Sequence, residues 1–105
     1  MTALDLLNKL PAAINPQAVA GLNRTIQFNT SQPAFVVIRD GACAVTPGST
    51  DAADLTLTLA DDDLVGLLTG KLDGMMAVLT GRLKLQGDLT LAQQLGRYFD
   101  ASRLT

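Results

Sequence analysis

The sequence predicts an α+β fold in which a five-stranded sheet, apolar on one face, is covered there by helices, all within a single domain spanning residues 1–105. Three observations carry this prediction. Five short runs either alternate apolar and polar residues with a period of two or are apolar throughout; apolar residues recur at helical spacing near both ends and in the middle; and turn-forming residues separate the runs. At this length a domain buries roughly two thirds of the surface of its extended chain. With 48% hydrophobic and 17% charged residues, disorder is excluded and an apolar interior larger than usual is expected.

Residues 3–14 place Leu4, Leu7, Leu10 and Ile14 at helical spacing, which predicts one amphipathic helix fraying between Pro11 and Pro16, with a further turn of helix at 17–21. Residues 25–29 then alternate, with Ile26 and Phe28 on one face and Thr25 and Gln27 on the other. Residues 34–39 (AFVVIR) are apolar on both faces, as a central strand would be. Asp40-Gly41 is the pair favoured in a type I′ hairpin and joins this strand to a third at 42–46, giving a meander. Residues 47–53 form a turn-rich crossing to a fourth strand, in which Leu55, Leu57 and Leu59 oppose Thr56 and Thr58; residues 82–86 repeat that pattern as a fifth. Helical segments lie between these last two strands, so a right-handed crossover is expected if the strands are neighbours. Asp88 is placed to cap a last helix with Leu91, Leu95 and Tyr98 at i, i+4 and i+7.

The segment before the fifth strand says nearly the same thing twice. LVGLLTGKL (64–72) and MMAVLTGRL (75–83) match position by position at an offset of 11. A phosphate loop is excluded, because 66–72 reads G-x-x-x-G-K-L, one residue short of the Walker spacing and without its metal-binding hydroxyl. Two copies at so short a period are not a solenoid. The pattern is helix grammar: Asp61, Asp62 or Asp63 caps the first helix and Asp73 the second, Gly70 and Gly81 supply left-handed closing residues, and Lys71 and Arg82 sit near the negative ends. Within each copy the apolar positions spread over about 160°, so each helix is expected to bury two sides. Leu64, Val65, Leu67, Leu68, Met75, Met76, Val78 and Leu79 are then either ordinary core or the wall of an apolar pocket, and paired flexible methionines suit the second reading.

Several function classes are disfavoured. The net charge is −2 and the eight bases are scattered singly, with one Tyr and three Phe, so nothing recommends a nucleic-acid surface. There is no His or Glu, and all ten acids are Asp, which favours caps and turns over acid–base chemistry. The Asp61-Asp62-Asp63 run lacks calcium-loop spacing and is expected to serve a helix start; no cofactor or metal is expected. Ser31, Ser49 and Ser102 have no His to activate them, and Cys43 is a lone strand residue without a partner base. A single cysteine, no secretory leader in the first 20 residues and no unbroken apolar run of about 18 residues suggest a reduced, cytoplasmic setting.

The second half of the chain resembles the sterol carrier protein 2 family. The family pattern is a strand ending in Ser/Ala-Asp, a Leu-rich helix closed by T-G-K, a Met-rich helix, and T-G-[KR]-L-[KR] leading to a G-[DN] that enters the last helix. Asp61, Thr69-Gly70-Lys71, Asp73, Met76, Thr80-Gly81-Arg82-Leu83-Lys84, Gly87 and Asp88 match it, whereas residues 1–54 agree only in the order of one helix followed by three strands. Ser102-Arg103-Leu104 is followed by Thr105, which departs from the terminal peroxisomal tripeptide of many eukaryotic members. Brevity and the lack of an attached oxidoreductase or thiolase domain suggest a free-standing bacterial member.

The resemblance implies sheet order 3-2-1-4-5 and a hydrophobic tunnel between sheet and helices. Its expected wall comprises Phe28, Phe35, Val37, Leu57, Leu67, Leu68, Leu72, Met75, Met76, Leu79, Leu83, Leu95 and Phe99. The implied activity is non-enzymatic binding and transfer of a fatty acid, acyl-CoA, phospholipid or isoprenoid quinone-type lipid. The alternative is an accessory factor presenting a lipid intermediate, such as a ubiquinone precursor, to biosynthetic enzymes. Transient membrane contact is the further partner considered: Lys71, Arg82 and Lys84 are single bases whose ordinary role is solvation and whose alternative is an anionic headgroup, with Lys84 on the polar side of its strand. Monomer and dimer are equally compatible with the sequence.

Overall fold

In the computed structural model, which describes residues 3–100 and Arg103, the chain runs α1 (Ala3–Asn8), α2 (Leu10–Ala13), β1 (Arg24–Asn29), β2 (Ala34–Arg39), β3 (Ala42–Pro47), β4 (Leu55–Leu59), α3 (Asp61–Leu68), α4 (Gly74–Leu79), β5 (Leu83–Gly87) and α5 (Leu89–Tyr98). The expected N-terminal helix is two short helices that break at Lys9, because Pro11 can occupy only the first turn of a helix and so starts a new one. Residues 16–21 form turns rather than a helix.

The strands form one sheet of order β3-β2-β1-β4-β5. The meander is as expected: Asp40 and Gly41 both take positive φ (56° and 75°), the conformation a type I′ turn requires. β4 joins the other side of β1 in parallel, so the segment after β3 runs back across the face of β2 and β1 that the helices leave open, passing over Gln27. β4 and β5 are neighbours, but they are antiparallel, with Leu59 opposite Leu83, and the expected crossover is absent. Two helices lie between these strands, as the duplicated pattern leads one to expect. The chain therefore returns to the end of β4 that it left, and β5 runs back beside it.

Register fixes the two faces. Val45, Val36, Ile26 and Leu55 form one row across the covered face, and Ala34, Phe28, Leu57 and Leu85 the next. Ile26, Phe28, Val36, Ile38, Leu55 and Leu57 are fully buried there, with Leu6, Leu7 and Leu10 of the N-terminal helices and Leu64 of α3 completing the core. The other face carries Thr25, Gln27, Phe35, Val37, Thr56 and Lys84. Phe35 and Val37 are thus half-buried on the side away from the helices, which corrects their placement in the tunnel wall. Because β2 is apolar at every position up to its terminal Arg39, its own pattern cannot say which residues face inward. The alternating partner β1 decides.

Candidate functional site

The C-terminal ends of α3 and α4 follow from the repeated sequence. At the end of α3, Gly70 N–H donates to Leu67 C=O (3.4 Å) and Lys71 N–H to Gly66 C=O (2.8 Å); at the end of α4, Gly81 N–H donates to Val78 C=O (3.2 Å) and Arg82 N–H to Ala77 C=O (2.8 Å). This is the Schellman closure twice over, with Gly70 and Gly81 at φ 81° and 76°. Thr69 and Thr80 each turn their hydroxyl back onto the fourth carbonyl before them, Val65 (2.6 Å) and Met76 (2.7 Å). The Leu-Thr-Gly-base repeat is therefore a stop signal written twice, and it keeps both helices short: α3 is about 12 Å long and α4 about 9 Å by helical rise.

The starts of the helices differ. Asp73 caps α4 through Met75 N–H (2.8 Å), and Asp88 caps α5 through Thr90 N–H (3.0 Å) and Leu91 N–H (3.2 Å). The residue at the cap of α3 is Ala60, which makes no side-chain bond; Asp61, Asp62 and Asp63 fill the first turn, where their charge faces the positive end of the helix. Asp61 instead reaches across to the β1–β2 loop, where it accepts bonds from the Ser31 hydroxyl and the Ser31 N–H (2.9 Å to the latter). Those two bonds hold its carboxyl below the ordinary value of 3.8. Among the described residues no group of three acidic, Cys or His side chains is placed to hold a metal ion.

Short helices leave a gap. Between α3, α4 and α5 on one side and β4 and β5 on the other lies a partly open cavity of about 760 Å³. That volume is within the range of small-molecule sites, and a mainly apolar wall with few polar groups is typical of them. The floor is Leu57, Leu83 and Leu85; the sides are Leu67, Leu68, Leu72, Met75 and Val78, with Gly70, Asp73 and Gly74 in the connecting loop; the far wall is Leu89, Ala92, Gln93, Leu95, Gly96 and Phe99. The loop is pinned close to α3: a side chain at Gly66 would meet Leu72 Cβ at 3.1 Å, and one at Gly74 would meet Leu67 Cδ1 at 3.3 Å.

Eight of the expected wall residues meet around this space: Leu57, Leu67, Leu68, Leu72, Met75, Leu83, Leu95 and Phe99. Five do not. Phe28 is sealed in the core, Phe35 and Val37 face the other side of the sheet, and Met76 and Leu79 point to solvent. The expectation that both short helices bury two sides fails for α4, whose one buried residue is Ala77. Of the residues that sequence reasoning missed, Leu85 follows Leu83 on the same strand face. Leu89, Ala92, Gln93 and Gly96 fall at i, i+3, i+4 and i+7, a second stripe on α5 beside the core stripe, and that spacing was the available signal.

A shallower cleft of about 700 Å³ lies behind the far wall and shares Gly96 and Phe99 with it, but its rim is polar: Asn15, Gln17, Arg97, Asp100 and Arg103, the last two ion-paired at 3.7 Å. Cys43 lies outside both spaces, half-buried on β3, where burial pushes its thiol up to about 11. A thiol held there carries almost no thiolate at neutral pH, so it is not poised for nucleophilic attack.

An open five-stranded mixed sheet with helices over an apolar cavity defines a class of protein, and comparison with known proteins agrees with it. The chain belongs to the SCP-2 sterol transfer family, whose model matches residues 4–100. It is 42% identical over 60 residues to sterol carrier protein 2 of Bos taurus, covering 57% of this chain and 11% of that protein. The chain thus spans about a tenth of the length of the curated relatives it matches. The sec-alkylsulfatase Pisa1 from Pseudomonas sp. has a similar fold, with a TM-score of 0.80 at 24% identity, over 87% of this chain and 15% of that one. So does palmitated SCP2L2 from Aedes aegypti, with a TM-score of 0.72 at 21% identity, over 92% and 93%.

Proposed function

We propose that this protein binds and transfers a lipid with a long apolar chain, without catalysing a reaction on it, and that the chain lies in the cavity between β4–β5 and α3–α5. The observation that carries the reading is the cavity itself: about 760 Å³ of mainly apolar space left open by two helices too short to fill it. An unfilled apolar cavity costs stability in proportion to its volume, and each buried methylene contributes about 0.8 kcal/mol, so a chain of a dozen carbons offsets the void and still binds near micromolar after its ordering cost. Family membership supports the class of cargo, and the palmitated state of the mosquito protein supports an acyl chain within that class. A wall dominated by Leu sets no side-chain hydrogen-bonding demand beyond Gln93 and Asp73, so chain length and shape select the cargo more than head chemistry does. Cys43, single and half-buried, suits a reduced cytoplasmic setting.

Displacement of a fluorescent acyl probe by unlabelled fatty acid tests the reading. The expected result is saturable, reversible uptake with one chain per protein and a micromolar dissociation constant; protein that takes up no acyl, sterol or prenyl chain would contradict it. One observation favours the second reading, in which the cargo is presented to an enzyme: in the Pseudomonas alkylsulfatase this fold occupies a minor part of a longer enzyme chain. Co-purification of a lipid-modifying enzyme with this chain from its host is the observation that would select it.

A further inference from the structure

Among the described residues, every large hydrophobic side chain that stands exposed lies in one patch. Met75 (62% exposed), Met76 (53%), Val78 and Leu79 (75%) are on α4, and Leu89 (60%) opens α5. The patch is continuous with the cavity, since Met75, Val78 and Leu89 line its mouth while remaining open to water. A contiguous exposed apolar surface of this kind marks something that covers it.

Charge indicates what that is. Of the ten Asp residues in the chain, Asp73 and Asp88 border this surface, and the carboxylate of each is engaged in capping its helix, α4 and α5 respectively. Lys71 and Arg82 stand exposed just before and just after α4, so the apolar helix is bracketed by two positive charges in a chain that is acidic as a whole. Met and Leu flanked by bases complement an anionic bilayer, where apolar side chains enter the interface and bases meet headgroups. A two-fold pairing with a second copy would set the same bases against themselves, which disfavours it.

We infer that α4 and the first turn of α5 form a docking surface for anionic lipid bilayers, with the cavity mouth turned toward the membrane so that an apolar chain passes between them without crossing water. This rests on the carrier reading of the cavity, and the two are separable. Met76, Leu79, Lys71 and Arg82 do not line the cavity, so changing them removes the docking surface and leaves the cargo site intact.

Co-sedimentation with vesicles of phosphatidylcholine alone and of phosphatidylcholine mixed with phosphatidylglycerol supplies the test, with fluorescent fatty-acid binding measured in parallel. The expected result is binding to the mixed vesicles that weakens with salt. The double variant Met76→Ser, Leu79→Ser should bind on the order of tenfold more weakly, and Lys71→Gln and Arg82→Gln roughly fivefold each, all with unchanged fatty-acid affinity. Vesicle binding undiminished in the serine double variant would overturn the inference. So would wild-type protein that binds fatty acid but neither kind of vesicle, or a wild-type dimer that the serine variant dissociates without loss of vesicle binding, since the patch would then be a self-interface. Vesicle binding retained by protein that takes up no fatty acid would overturn the carrier reading and uphold the docking surface.

Discussion

Gln27 does more than its position in the sequence suggests. It lies on the uncovered face of the sheet, yet it is buried, because the segment leaving β3 folds over it: its Nε2 donates to the carbonyls of Ala34 (3.2 Å) and Gly48 (3.1 Å), and its Oε1 accepts from Thr50 N–H (2.8 Å). One amide thus supplies the pairing that the crossing loop cannot find in a ladder. Gln27→Ala strands those groups and should cost about 2 kcal/mol, read as a lower urea midpoint with an unchanged slope. The alternation of residues 25–29 marked Gln27 only as polar and outward; a loop that returns 20-odd residues later to cover it leaves no local trace. At Asp61 the sign of a pH effect is fixed. Its folded value is depressed by the Ser31 bonds, so the stabilisation is present above the ordinary carboxylate value of 3.8 and is lost as pH falls through the lower folded value. Ser31→Ala should therefore be less stable than the parent at neutral pH, with the difference fading as the pH falls below 3.8; a difference that persists undiminished in acid would mean that the hydroxyl acts otherwise.

At the scale of elements, two glycines, one just before α5 and one inside it, carry opposite predictions. Gly87 ends β5 at φ 111°, and a side chain there would run into the Asp54 carbonyl oxygen, the same oxygen that accepts from Asp88 N–H (3.0 Å). Asp54 also joins β1 to β4 by accepting from Thr25 N–H through its carboxylate (2.8 Å), so Gly87→Ala strains a junction of three strands and should cost more than about 2 kcal/mol. Gly96, by contrast, is inside α5 with helical φ and open space where a methyl would go. Gly96→Ala should gain roughly 0.5–1 kcal/mol from helix propensity, and thermal unfolding of the two variants checks both signs at once. The elements themselves were largely legible, because alternation, Asp40-Gly41, Asp73, Asp88 and the duplicated Thr-Gly closures are local signals. The exceptions have nonlocal causes. β2 is apolar on both faces, so only its partner strand decides that Phe35 and Val37 point away from the site. The width of the apolar stripe on α4 promised burial, whereas the stop signals at Gly70 and Gly81 leave that helix so short that only Ala77 is buried.

For the molecule as a whole, the arrangement is a division of labour along the sheet. The N-terminal helices and α3 seal the β3-β2-β1 side into solid core with Leu6, Leu7, Leu10, Ile26, Phe28 and Leu64, all fully buried, while the β4-β5 side is left under short helices with space above its leucines. On the proposed carrier reading, the solid half holds the fold and the open half is completed by cargo. A ligand that binds only the folded state at a hundred times its dissociation constant should then stabilise the protein by about 2.7 kcal/mol, seen as a rise in the thermal midpoint that scales with ligand concentration. Sheet order and cavity were legible only through resemblance to a family, since no periodicity reports which strands meet or where packing stops short. The most direct measurement is intermolecular nuclear Overhauser contacts between an unlabelled long-chain fatty acid and methyl-labelled protein. The chain should contact the methyls of Leu57, Leu83 and Leu85 and not those of Leu6 or Val37; contacts confined to Val37 and its face, or no contacts from a ligand shown to bind, would contradict the account.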